Sequence, residues 1–199
     1  MEAFLVSTGV VAVAEIGDKT QLLALLLATR FRRPLPVIAG IALATVANHA
    51  LAAWLGVAVV QWLSPDVTRW ILGASFLAMA AWTLKPDEMD DDEAPASRRH
   101  GAFLTTLVAF FLVEIGDKTQ VATVALAAQF DAVVMVTAGT TLGMMIANVP
   151  AVLVGDRAAG HIPLGVVRGV AATVFALLGL LALFDVPIPG IGGGGAASR

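Results

Sequence analysis

Long apolar runs separated by short polar breaks fill almost the whole chain. Six runs, at about 3–28, 36–62, 67–84, 102–128, 133–155 and 165–184, are each near the roughly 20 residues that cross a hydrocarbon layer as a helix. Helices are expected because an open sheet edge would leave backbone polar groups unsatisfied in lipid. The breaks are turn-forming: Arg32-Arg33-Pro34, Ser64-Pro65-Asp66, Lys85-Pro86-Asp87, Gln129-Phe130-Asp131 and His161-Ile162-Pro163. The pattern predicts an all-α membrane protein with six transmembrane helices. The first run has no positive charge ahead of it and continues through Glu15 to Ala28 without a cleavage site. It is therefore expected to be a span of the mature protein, not a signal peptide.

Composition narrows the function classes. The chain is 58% hydrophobic and 14% charged, with a mean hydropathy of +0.87, well outside the range of soluble domains. A net charge of −3 argues against a nucleic-acid partner, which would require a basic face. The absence of cysteine removes disulfides, thiolate metal sites and cysteine nucleophiles.

The chain is also duplicated. A gap-free shift of 99 residues places Ala3-Phe4-Leu5 on Ala102-Phe103-Leu104 and EIGDKTQ at 15–21 on EIGDKTQ at 114–120. At the same offset Leu27-Ala28 meets Leu126-Ala127, Ala39-Gly40 meets Ala138-Gly139, Gly56 meets Gly155, Arg69 meets Arg168, and Phe76 meets Phe175. Three helices per half is an odd number, so the second half enters the membrane from the opposite side, giving two inverted three-helix repeats. The expected division is 1–85 for the first repeat, 86–100 for an acidic cytoplasmic linker, 101–189 for the second repeat and 190–199 for a flexible, glycine-rich tail. The linker carries six acids between 86 and 93; it reads as a solvated joint, with a cation-collecting role as the sharper alternative.

Orientation follows from the loops. One side carries Arg30, Arg32, Arg33, Lys85, Arg98, Arg99 and Arg157, with Arg168 at its border, the other only Arg69 and Arg199. The positive-inside rule puts the first set in the cytoplasm and both termini outside. Trp62 and Trp70 suit the interfacial belt, and Trp54 and Trp82 are assigned to packing.

Charge that remains inside the spans is the chemistry. Glu15, Asp18 and Lys19 lie mid-way along the first run, and Glu114, Asp117 and Lys118 mid-way along the fourth. Each costs on the order of 3 kcal/mol at that depth, so each must face the interior or a watery cavity. On a continuous helix Glu15, Asp18 and Lys19 share a face with Gln21 at its edge, whereas Thr20 points away and is expected, with Thr119, to bond backbone. Brought together by the pseudo-two-fold, four acids and two lysines leave two net negative charges, which one divalent cation neutralises. Such a donor set suits calcium, magnesium or manganese. Gln21, Gln120, Asn48 and Asn148 are candidates for further oxygens, the asparagines equally for interhelical hydrogen bonds. His49, which aligns with Asn148, is a candidate nitrogen ligand or proton carrier, or a packing residue. Lys19 and Lys118 read as charge-balancing partners of the carboxylates, and Gly17 and Gly116 as points where the helix can unwind. Metal and protons competing for the same carboxylates predicts divalent cation/proton antiport by alternating access, since a neutralised site can cross a conformational transition that an anionic one cannot.

Two copies of Glu-x-Gly-Asp-Lys/Arg-Ser/Thr, each in the first helix of a three-helix repeat and joined by an acidic linker, resemble the Gdt family of cation/proton exchangers in the lysine-exporter superfamily. The resemblance covers essentially the whole chain. It implies that Glu15, Gly17, Asp18, Lys19 and Thr20, with Glu114, Gly116, Asp117, Lys118 and Thr119, are the signature positions and that the acids hold the ion. It further implies export of manganese, with calcium as a second ion, from a bacterial plasma membrane. The expected partners are the divalent ion, protons and the bilayer, with no permanently bound cofactor. Two other classes remain at this point. Gly-Asp in each of two membrane helices also fits an intramembrane aspartyl protease, and the superfamily allows an exporter of a small organic cation such as an amino acid.

Overall fold

The computed structural model describes residues 1–85, 101–154 and 164–186. The acidic linker, the glycine-rich tail and the break at 161–163 lie outside the described residues. The fold is all-helical, with eight helices among the described residues: α1 (Glu2–Glu15), α2 (Lys19–Phe31), α3 (Pro34–Val60), α4 (Pro65–Thr83), α5 (Gly101–Glu114), α6 (Lys118–Phe130), α7 (Val133–Val154) and α8 (Leu164–Leu183).

Four of the six expected helices are present close to their expected ends. The first and fourth are not continuous: each is divided at its EIGDKTQ segment into two half-helices, α1 with α2 and α5 with α6. The cause is backbone geometry. Gly17 and Gly116 have φ of 81° and 79°, a left-handed conformation that interrupts a right-handed helix and that only glycine adopts freely. Asp18 and Asp117 follow in extended conformation as N-caps of the next half-helix. Elsewhere the punctuation acts as read: Pro34 and Pro65 open α3 and α4, and the Ser64 hydroxyl accepts from Val67 N at 3.4 Å.

α3, α7 and α8 contain stretches long and apolar enough to cross a membrane, at Pro34–Val60, Val133–Leu153 and Gly165–Leu183. Their outer faces, like those of the other helices, expose leucine, valine and isoleucine. Trp62 and Trp70 are exposed as expected. Trp54 and Trp82, assigned to packing, are instead 59% and 40% exposed, because each falls on an outward face of its helix.

Packing repeats at the 99-residue offset. α1 lies along α7 as α5 lies along α3, and α4 pairs with α8. A Cβ on Gly40 would meet Phe103 O and the Thr106 side chain; one on Gly139 would meet Phe4 O and the Ser7 side chain. Each pair of contacts differs by 99, so glycine provides the close approach in both halves. The apolar core divides into two clusters, one containing Ala14, Ala53, Ala122 and Val136, the other Leu23, Ala44, Val113 and Val152. Along α1–α2, α3, α5–α6 and α7 a set of buried polar residues falls between the two clusters: Glu15, Asp18 and Thr20; Thr45, Asn48 and His49; Glu114, Asp117 and Thr119; Thr140 and Asn148. The result is a polar layer sandwiched between two apolar ones.

Candidate cation site

The polar layer is built on the two helix breaks. Glu15 is the last residue of α1 and Asp18 caps α2; Glu114 is the last residue of α5 and Asp117 caps α6. Each break is held by its own glutamine. Gly17 N donates to Gln21 Oε1 at 3.0 Å and Gly116 N donates to Gln120 Oε1 at 2.8 Å, satisfying an amide that the interrupted ladder would orphan. Gln21 Nε2 also donates to Ala147 O on α7 at 3.0 Å. The two glutamines, expected as oxygen donors, therefore have those oxygens turned to the backbone.

Oxygen atoms of Glu15, Glu114 and Asp117, all buried, lie within 4.8 Å of one another, bringing acids from both halves into one cluster. Glu15 Oε1 and Glu114 Oε1 have no hydrogen-bond partner among the described residues. The fourth acid is engaged differently: Lys118 Nζ reaches across the repeats to Asp18 Oδ1 at 2.5 Å, both side chains being buried. Lys19 is half-buried as the first residue of α2. The C-terminal ends of α1 and α5 close on the layer with the negative ends of their dipoles, a favourable field for a cation.

Thr20 and Thr119 correct the sequence reading. Thr20 Oγ1 donates to Glu15 Oε2 at 2.5 Å and stands 3.4 Å from Asp18 Oδ2. Thr119 Oγ1 donates to Asp117 Oδ2 at 3.1 Å and stands 3.4 Å from Glu114 Oε2. Counting 100° per residue across the motif put these hydroxyls on the wrong face, because the break resets the helical phase. The signal was present in Gly-Asp-Lys-Thr-Gln: an Asp followed three residues later by Gln is a helix-start signature.

Asn48 and His49 come from α3 and Asn148 from α7. Asn48 Nδ2 donates to Phe111 O on α5 at 3.0 Å, the interhelical alternative. Asn148 Nδ2 donates within its own helix to Met144 O at 3.1 Å. The Oδ1 of each is buried without a hydrogen-bond partner among the described residues. His49 is fully buried, with Nε2 3.5 Å from Glu114 Oε2.

The arrangement can hold a hard cation between carboxylates from both halves. Residues 3–91 and 102–188 match the GDT1 divalent cation/proton antiporter family, once in each half of the chain. The chain belongs to this family. It is also similar to two curated proteins. The "Putative manganese exporter" of Vibrio cholerae serotype O1 is 55% identical over 185 residues, covering 92% of each chain. A GDT1-like protein of Synechocystis is 30% identical over 199 residues, covering 91% of this chain and 96% of that one. No solved structure matches. As a GDT1 member the chain is an integral membrane protein that exchanges divalent cations for protons. It is a transporter and not an enzyme, which sets aside the protease reading.

Proposed function

We propose that this GDT1 antiporter exports manganese from the cytoplasm in exchange for protons, by alternating access at the carboxylate layer. The observation that carries the reading is the Glu15–Glu114–Asp117 cluster, which joins acids of both halves at two helix breaks. The similarity to a protein named as a manganese exporter supports manganese over calcium. Asp18 is the fourth acid of the site, held by Lys118 in this conformation. Lys19 and Lys118 balance charge, Asn48 and Asn148 lend oxygens, Gly17 and Gly116 keep the helices broken, and Gln21 and Gln120 clamp the breaks.

Charge arithmetic makes the exchange intelligible. The two motifs together carry two net negative charges, which either one divalent cation or two protons cancel. The loaded and the protonated site can each be carried through a closed, low-dielectric state, and the bare anionic site cannot. The two halves, 1–85 and 101–189, rock about the site as inverted repeats, with half-helix pairs α1–α2 and α5–α6 each making one of six crossings. The linker 86–100 lies in the cytoplasm and both termini lie outside a bacterial plasma membrane. The ion is cargo, and no cofactor is permanently bound.

The test is reconstitution of the full chain in vesicles containing a pH dye, with manganese, calcium, magnesium or lysine supplied under an imposed proton gradient. Manganese-dependent proton flux is expected, and Glu15→Gln or Asp117→Asn should reduce it at least tenfold, since each removes a charged partner worth roughly 1.5–3 kcal/mol. Absence of metal-dependent proton flux, or full flux in both variants, overturns the proposal.

A further inference from the structure

We propose that His49 sets the cation preference of this antiporter by offering an imidazole nitrogen to the ion beside Glu114. The inference rests on the manganese reading and deepens it. His49 is fully buried in α3, and neither ring nitrogen has a hydrogen-bond partner among the described residues. Buried polar groups are nearly always paired, so a bare imidazole at this depth needs a reason. Its Nε2 stands 3.5 Å from Glu114 Oε2, and Glu114 belongs to the three-carboxylate cluster.

The spacing suits shared ligation. Around one six-coordinate ion with bonds of about 2.2 Å, neighbouring donors stand about 3.1 Å apart and opposite donors about 4.4 Å. The 3.5 Å between His49 and Glu114 is close to the spacing of neighbouring donors, whereas the His49 nitrogens do not stand within 4.8 Å of all three carboxylates. The imidazole stands at the Glu114 edge, outside the three-carboxylate set, and reaches the ion by a side-chain adjustment beside Glu114.

Chemistry then decides what the nitrogen does. Calcium, magnesium and manganese all favour oxygen donors, but manganese, as a first-row transition ion, accepts an imidazole nitrogen more readily than the other two. Carboxylates alone would bind all three ions. One neutral nitrogen adds affinity for manganese and little for the other two. The repeat sharpens the point: the residue 99 positions on is Asn148, whose buried Oδ1 also lacks a hydrogen-bond partner among the described residues. Equivalent positions thus present a nitrogen from one half and an oxygen from the other. His49→Asn makes the two halves alike, and His49→Gln, nearer to histidine in size, removes the imidazole with less loss of packing.

Two measurements on the full-length protein test this. In vesicles, His49→Asn and His49→Gln should raise the half-saturating manganese concentration about tenfold while changing that for calcium by less than about twofold. Independently, purified protein loaded with manganese alone should show nitrogen-14 modulation in electron spin echo spectra, lost in His49→Asn. Equal weakening toward both cations, an unchanged manganese-to-calcium ratio, or the absence of nitrogen coupling in the unaltered protein overturns the role given to His49. Absence of manganese-coupled proton flux in the unaltered protein overturns the export reading instead, and the spectra still decide the histidine.

Discussion

Thr20 and Thr119 each hold a single hydroxyl proton between two carboxylates, and they do not place it alike. Thr20 gives it to Glu15, Thr119 to Asp117. In these hydrogen bonds two identical motifs are locally unequal. A hydrogen bond to a charged group contributes roughly 1.5–3 kcal/mol. Thr20→Val, which keeps the shape and removes the hydroxyl, is therefore expected to weaken manganese-driven proton flux by about tenfold or more. Thr20→Ser should retain flux within about twofold; equal loss in both variants would show that shape, not the hydroxyl, matters. Sequence periodicity misplaced these threonines because it presumes an unbroken helix.

At the scale of the element, the broken helix is what turns a costly row of charges into a compact cluster. A continuous helix 102–128 would satisfy its own backbone and leave no amide for Gln120 and no capping role for Asp117. Gly116 tests the point cleanly. Its φ is 79°, and a Cβ there would meet no atom within 4 Å, so Gly116→Ala introduces backbone cost without a clash. That cost is about 1–2 kcal/mol in the left-handed region, and alanine adds helix propensity that favours closing the break. Gly116→Ala is expected to fold, with a thermal midpoint lower by a few degrees, and to lose at least about fivefold in manganese affinity. Unchanged transport kinetics would show that the break is not needed for function. The glycine was legible as a weak point; its φ and the glutamine clamp were not, since both depend on which partner the backbone finds.

The whole molecule joins two halves of one pattern about a polar layer. Six crossings, an even total, predict that the termini share a side, and the loop arginines predict that this side is outside. A cysteine introduced by Ser198→Cys in this cysteine-free chain should react with a membrane-impermeant maleimide in intact cells. Labelling only after the cytoplasmic face is opened would reverse the orientation and with it the direction of the proposed export.

By itself the sequence determined the membrane, the duplication, the helical class and the acids at mid-span, because hydropathy, a fixed offset and buried charge are properties of the chain read in one dimension. It also placed Glu15, Glu114 and Asp117 among the candidate ligands. Only the tertiary structure decided that these three cluster while Asp18 is taken by Lys118, that the glutamines serve the backbone, and that His49 lies against Glu114. Those outcomes depend on how α3, α5 and α6 approach across the repeat boundary, and side chains about a hundred residues apart leave no local trace of which will meet.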